Sequence, residues 1–269
     1  MYKIAKFILT DILKSKVITV YTLMLFIISW AILGLESNQI KANLNLLNIV
    51  LFVVPLFSLV FSVIYIYNST QFIELLSTQP IKRDVIWTGT FLGLSLSQLL
   101  VFLAGCGIPI ILYSTLTYGL CVLLGGMLLC VSFTSLAMYS SISTNDKTKG
   151  IGIALFIWVF FNIIYDSLLL ILMFQFSDYP IEKPMVVLSS LSPIGLTRIF
   201  VQLQLDISGM LGYSGAVFKS IFGSGGGVYI SVLILLLWII FPFLSSLLKF
   251  RKKIYKYYVS YSIALVSIK

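Results

Sequence analysis

The chain has 269 residues, of which 59% are hydrophobic and 10% charged, with a mean hydropathy of +1.07 and a formal net charge of +9. A soluble domain carries about a quarter charged residues, so water cannot be the solvent for most of this surface, and lipid must be. Backbone groups in lipid must be satisfied internally, and the apolar runs here exceed the roughly 10 residues of a barrel strand. The predicted fold is therefore all-α: a polytopic bundle of six transmembrane helices.

In chain order, residues 1–16 are too polar to span. Ile4, Ala5, Ile8, Leu9, Ile12 and Leu13 share one helical face, with Lys3, Lys6, Thr10 and Lys14 opposite. This predicts an interfacial helix whose lysines reach lipid headgroups. The first span is expected at about 17–35 and is read as retained, because no small-residue cleavage site follows it. The second is expected at about 46–67, and a polar break from Asn68 to Asp84 follows.

Within that break Phe72, Ile73, Leu75, Leu76 and Ile81 form a short amphipathic segment that cannot span. Gln79-Pro80 should end its helical part, since a residue before proline avoids the helical region. Two readings stand for it: a helix along the membrane surface that docks a soluble partner, or an ordinary interfacial loop.

The third span is expected at about 87–113, with a turn at Thr115–Gly119 and a fourth span at about 120–139. A polar loop from Ser141 to Gly150 leads to a fifth span at about 151–176. A long mixed segment, 177–227, precedes the sixth span at about 228–248, and the basic stretch Lys249–Lys256 follows. The chain is thus read as one transmembrane domain over 1–257 with a tail at 258–269. The cluster Gly223–Gly227 lacks the Lys-Ser/Thr pair of a phosphate loop and is expected to be a hinge before the last span.

Lysine and arginine are concentrated on one side of this topology. The opposite side holds only Lys41, Lys183, Arg198 and Lys219. By the positive-inside tendency both termini are expected in the cytoplasm. The basic residues flank apolar runs instead of gathering on a soluble face, so membrane lipids, and no nucleic acid, are the expected partners.

Little in the chain suggests chemistry. It has no histidine and nine acidic residues, which removes imidazole triads and His-based zinc sites. Cys106, Cys121 and Cys130 lie inside apolar runs without metal or redox spacing, and no cofactor is expected. An integral membrane enzyme is the reading from another functional class. It would have to work with Glu36, Asp166, Asp178, Glu182 and Asp206, the acids outside the cytoplasmic flanks. Asp166 sits inside the fifth span, where a carboxylate costs several kcal/mol unless paired, hydrated or protonated. Asn162 lies one turn before it. Two readings stand: an interior polar site or interhelical lock, or an acid solvated near the outer interface.

Three stretches carry a family resemblance. Phe72-Ile-Glu-Leu-Leu-Ser-Thr-Gln-Pro-Ile-Lys-Arg83 with Phe91-Leu-Gly93 resembles the "E-L-L-x-x-x-P-[VI]-x-R…K-F-L-G" segment of ABC-2 type (type V) permeases, with Thr90 in place of the usual lysine. Asn145 to Asp166 resembles the "N-x-K-x-x-x-x-x-x-A-L-x-x-W…D" stretch of NosY-type permeases. Leu191-Ser-Pro-Ile-Gly-Leu-Thr-Arg198 resembles their "L-N-P-x-D-x-x-R" stretch, with Gly195 where an acid is common. The resemblance implies an inner-membrane permease subunit with a cytoplasmic coupling helix, in which Glu74, Pro80, Lys82 and Arg83 meet a separate dimeric ABC ATPase. It implies a second permease copy and a periplasmic β-helix protein of NosD type. Pro193 and Arg198 mark the family-like part of the outer segment. The implied task is maturation of the copper–sulfur centres of nitrous oxide reductase, and an exporter of lipid, glycan or drug is the alternative. Catalysis of ATP hydrolysis is expected on the partner subunit, and no metal ligands are expected in this one.

Overall fold

A computed structural model describes residues 1–114, 116–176, 187–204 and 213–266. Every regular element among them is helical. The helices are α1 (Tyr2–Leu13), α2 (Lys16–Leu35), α3 (Gln39–Asn68), α4 (Thr70–Thr78), α5 (Arg83–Tyr113), α6 (Leu116–Ser143), α7 (Lys147–Gln175), α8 (Pro193–Gln204) and α9 (Tyr213–Val266). Among the described residues 6 helices are long and apolar enough to cross a membrane: α2, α3, α5, α6, α7 and the Gly226–Lys252 part of α9. The chain is a multi-pass membrane protein.

Burial orders the spans. In α6, 72% of the apolar window is buried, against 6% in α7, so α6 is the central post and α7 stands at the periphery. The outward face of α2 repeats every three or four residues, with Val17, Val20, Leu23, Met24, Ile27 and Trp30 all exposed. Apolar residues exposed at that spacing are what a helix presents to hydrocarbon.

Several spans begin or end beyond the apolar run, because polar residues cap them. Asn38 accepts hydrogen bonds from the backbone N–H groups of Ile40 and Lys41, starting α3 at Gln39. Buried Asn43 is kept in register by Ser114, whose hydroxyl lies 2.9 Å from its Nδ2. Asp146 accepts from Thr148 N–H at 2.9 Å and starts α7 at Lys147. Capping of this kind satisfies donors that a helix start leaves open.

Two expectations fail. Residues 116–119 are the start of α6 and not a turn; Thr115 lies outside the described residues. The missing side chain of Gly119 lets Ile110 approach, since a Cβ there would stand 2.3 Å from Ile110 Cγ2. Likewise Gly223–Gly227 is no hinge: α9 runs through it without a break. A helical glycine costs only about 1 kcal/mol relative to alanine, a cost that the long helix on either side of the cluster offsets.

α1 has a face of Ile4, Ala5, Ile8 and Ile12, as the pattern predicts, but that face is covered by protein and not by lipid. Gly89 and Gly93 of α5 receive it. A Cβ at residue 89 would lie 3.2 Å from Ile4 Cβ, and one at 93 would lie 2.7 Å from Ile8 Cβ. A four-residue step on α1 matches a four-residue step on α5, so α1 follows α5 in the same chain direction at this contact. Glycines four apart allow this close approach of two helices.

Candidate functional site

The polar break between α3 and α5 folds as α4. Ser69 closes α3 and opens α4, and the helix ends at Thr78 with Gln79 extended (φ −79°, ψ 157°) ahead of Pro80. Ile73 is buried, and Phe72 stacks on Phe7 of α1 with ring centroids 4.9 Å apart. Leu76 and Ile81 pack against the core. The other face holds Glu74, exposed, and Leu75, 66% exposed. Pro80 and Lys82 are also exposed. So α4 is held by one face at this end of the bundle and offers the other.

Arg83 belongs to a clasp on α9. Its Nη1 donates to the Arg251 carbonyl at 3.3 Å. The Arg251 guanidinium in turn makes a two-pronged contact with Asp84, Nε to Oδ1 at 2.6 Å and Nη2 to Oδ2 at 2.5 Å. One and two turns further, buried Trp87 donates its indole N–H to Ser246 Oγ at 2.9 Å and stacks on Phe250, and Phe91 meets Phe243. The first turns of α5 are thus zipped antiparallel to the end of the last span. Lys249 completes the attachment by donating to Ser143 Oγ of α6 at 2.9 Å. Asp84, Trp87 and Arg251 were not among the candidates read from the sequence. Their only signal there was position at the ends of apolar runs.

At the opposite end of the bundle, Asp166 and Arg198 meet. Arg198 Nη1 lies 3.0 Å from Asp166 Oδ2, tying α7 to α8; their side chains are 23% (Asp166) and 39% (Arg198) exposed. The adjacent Tyr165 hydroxyl donates to the Leu188 carbonyl, so two consecutive residues of α7 hold the segment 187–204. The acid read from the fifth span therefore does link helices, while keeping some access to its surroundings.

Asn162 does not share that contact. A π-helical turn, Phe160–Ile164, lies just ahead of Asp166, and Asn162 points to α3 instead. With its amide oriented to match its neighbours, its nitrogen donates to the Leu51 carbonyl at 3.3 Å and its oxygen accepts from Trp158 Nε1 at 2.9 Å.

α8 is itself enclosed. Ser192 caps it by accepting from Gly195 N–H at 3.2 Å, and buried Pro193 occupies the first position, where a missing N–H costs nothing. Ile194, Leu196, Thr197 and Val201 have no exposed surface. Gly125 of α6 makes room for this helix: a Cβ there would lie 2.9 Å from Thr197 Cγ2. Residues 177–186 and 205–212 of the mixed segment lie outside the described residues.

Among the described residues no three His, Cys, Asp or Glu side chains come together to hold a metal ion. Cys106, Cys121 and Cys130 are free and buried, and Cys106 accepts from the Ser29 hydroxyl at 3.2 Å. No protein-family model matches the chain, and no curated protein matches it either.

Proposed function

We propose that this chain is the permease subunit of an ABC transporter of ABC-2 type, driven by a separate cytoplasmic ATPase dimer. The observation that carries the reading is α4: a short helix between two spans, anchored by Ile73 and Phe72, with Glu74 and Leu75 turned outward. Arg83 and Asp84 then give a route for force. Motion of α4 passes through the start of α5 to Arg251 and α9, from α9 to α8 packed beside it, and through Arg198 to α7. Two copies would sit in an inner membrane with all termini cytoplasmic, as the lysine and arginine distribution supports.

Within that family the stretches 145–166 and 191–198 favour the NosY type. There the permease would pass motion to a periplasmic β-helix protein during assembly of the copper–sulfur centres of nitrous oxide reductase. The Asp166–Arg198 contact joins those two stretches, which supports treating them as one working unit. Export of another cargo, a lipid, glycan or drug, is the second reading, since the family architecture serves it equally well.

Purification of the tagged chain from its own membranes, with its partners identified, tests both. Recovery of an ATPase and a periplasmic β-helix protein supports the first. An ATPase without a periplasmic partner supports the second. Recovery of neither overturns the transporter reading.

A further inference from the structure

α1 and α2 both touch α5, but not continuously. α1 is seated at Gly89 and Gly93, and α2 closes on α5 from Gly105 onward, where a Cβ would stand 2.8 Å from Leu25 Cβ and where Ser29 and Trp30 bond to Cys106 and Tyr113. Between these close approaches the helices stand apart, leaving an open groove of about 460 Å³ walled by Leu13, Ile18, Leu23, Leu100, Val101 and Ala104. Thr19 and Thr22 also line it. Their hydroxyls are spent on their own helix, donating to the Ser15 and Ile18 carbonyls at 3.3 and 2.8 Å. A polar ligand would find few unspent hydrogen-bonding groups here, whereas a hydrocarbon chain finds methyl groups on three sides.

The groove ends at the α1–α2 junction, beside Leu13. Lys14 and Lys16 flank that junction, both exposed, and neither is held by a carboxylate among the described residues. The nearest acid in sequence, Asp11, is engaged by the Tyr65 hydroxyl at 3.0 Å. Lysines at the start of an apolar span reach headgroup level. An open apolar groove flanked at one end by the exposed Lys14 and Lys16 matches a molecule with one anionic end and a long apolar tail.

We propose that this groove is a binding site for an anionic phospholipid, with an acyl chain between α2 and α5 and the phosphate at Lys14 and Lys16. Such a lipid fills the space between the first span and α5, and bridges α1 to α2.

The test uses the full chain reconstituted in vesicles of equal phosphatidylglycerol and phosphatidylcholine, extracted in mild detergent, with retained lipid counted by native mass spectrometry. One phosphatidylglycerol per chain is expected to persist in preference to phosphatidylcholine. A lysine near an anionic surface contributes about a fivefold preference, so Lys14→Gln with Lys16→Gln is expected to lower the ratio about 25-fold. Lys252→Gln, an exposed lysine within α9 at the end of the last span, is expected to leave it unchanged. Leu100→Trp fills the groove from a position 45% exposed, where the added ring is tolerated, and is expected to abolish retention without changing helical content. Equal retention of the two lipids overturns the proposal. So does a preference that survives the lysine substitutions, or retention that survives Leu100→Trp.

Discussion

Asp166 of α7 and Arg198 of α8 form an ion pair of 3.0 Å between residues far apart in sequence, at the end of the bundle away from α1. Neither side chain is fully enclosed, so the pair is screened and its value lies more in fixing α8 against α7 than in raw stability. A double-mutant cycle of Asp166→Asn and Arg198→Gln, followed by thermal unfolding in detergent, should give a coupling of about 1 kcal/mol or less. A coupling well above 1 kcal/mol would show that the pair is more deeply enclosed than its exposure indicates.

The seat of α1 gives a sharper contrast. Gly93→Ala places a Cβ 2.7 Å from Ile8 Cβ and 3.0 Å from the Ala5 carbonyl. Overpacking of that sort costs about 1–3 kcal/mol, and here it should release α1, so that trypsin cuts faster at Lys3 and Lys6. Gly152→Ala in α7 meets nothing within 4 Å and should be neutral, or stabilising by up to about 1 kcal/mol. Equal effects of the two substitutions would argue against the α1–α5 contact.

At the α5–α9 zipper, the buried hydrogen bond should outweigh the exposed ion pair. Trp87→Phe removes the indole donor from Ser246 and should cost about 1 kcal/mol. Asp84→Asn, at a side chain 41% exposed, should lower the unfolding midpoint less. The reverse order would mean that the fork on Arg251, and not the ring packing, holds the last span in place.

The continuity of α9 through its glycines can be checked at Gly226, which has open space around it. Alanine there should preserve folding and raise helix stability by up to about 1 kcal/mol. A hinge would respond in the other direction, with loss of activity or of stability.

The spans were legible in the sequence because a run of about 20 apolar residues has few alternatives in a chain this hydrophobic. The end of α4 at Gln79-Pro80 was legible because proline restricts the residue before it. Asp166 stood out as an acid in an apolar run, but nothing in the sequence placed Arg198 beside it, since the contact depends on how α8 inserts among the spans. The amphipathic face of α1 was readable too. Its cover was not, although Gly89 and Gly93 carry the spacing of a helix-packing site. The glycines at 223–227 misled for the opposite reason: they often mark turns, yet each costs a helix only about 1 kcal/mol, and α9 continues through them.

The central claim is that α4 receives an ATPase on the face that carries Glu74. Glu74 is exposed and forms no ion pair among the described residues, so Glu74→Ala should remove a docking group without disturbing the bundle. The deciding measurement is the amount of ATPase subunit recovered with the tagged permease from native membranes, for the natural chain and for Glu74→Ala, alongside the unfolding midpoint of each. The account predicts a severalfold loss of ATPase with an unchanged midpoint. Full recovery of the ATPase with Glu74→Ala would contradict it.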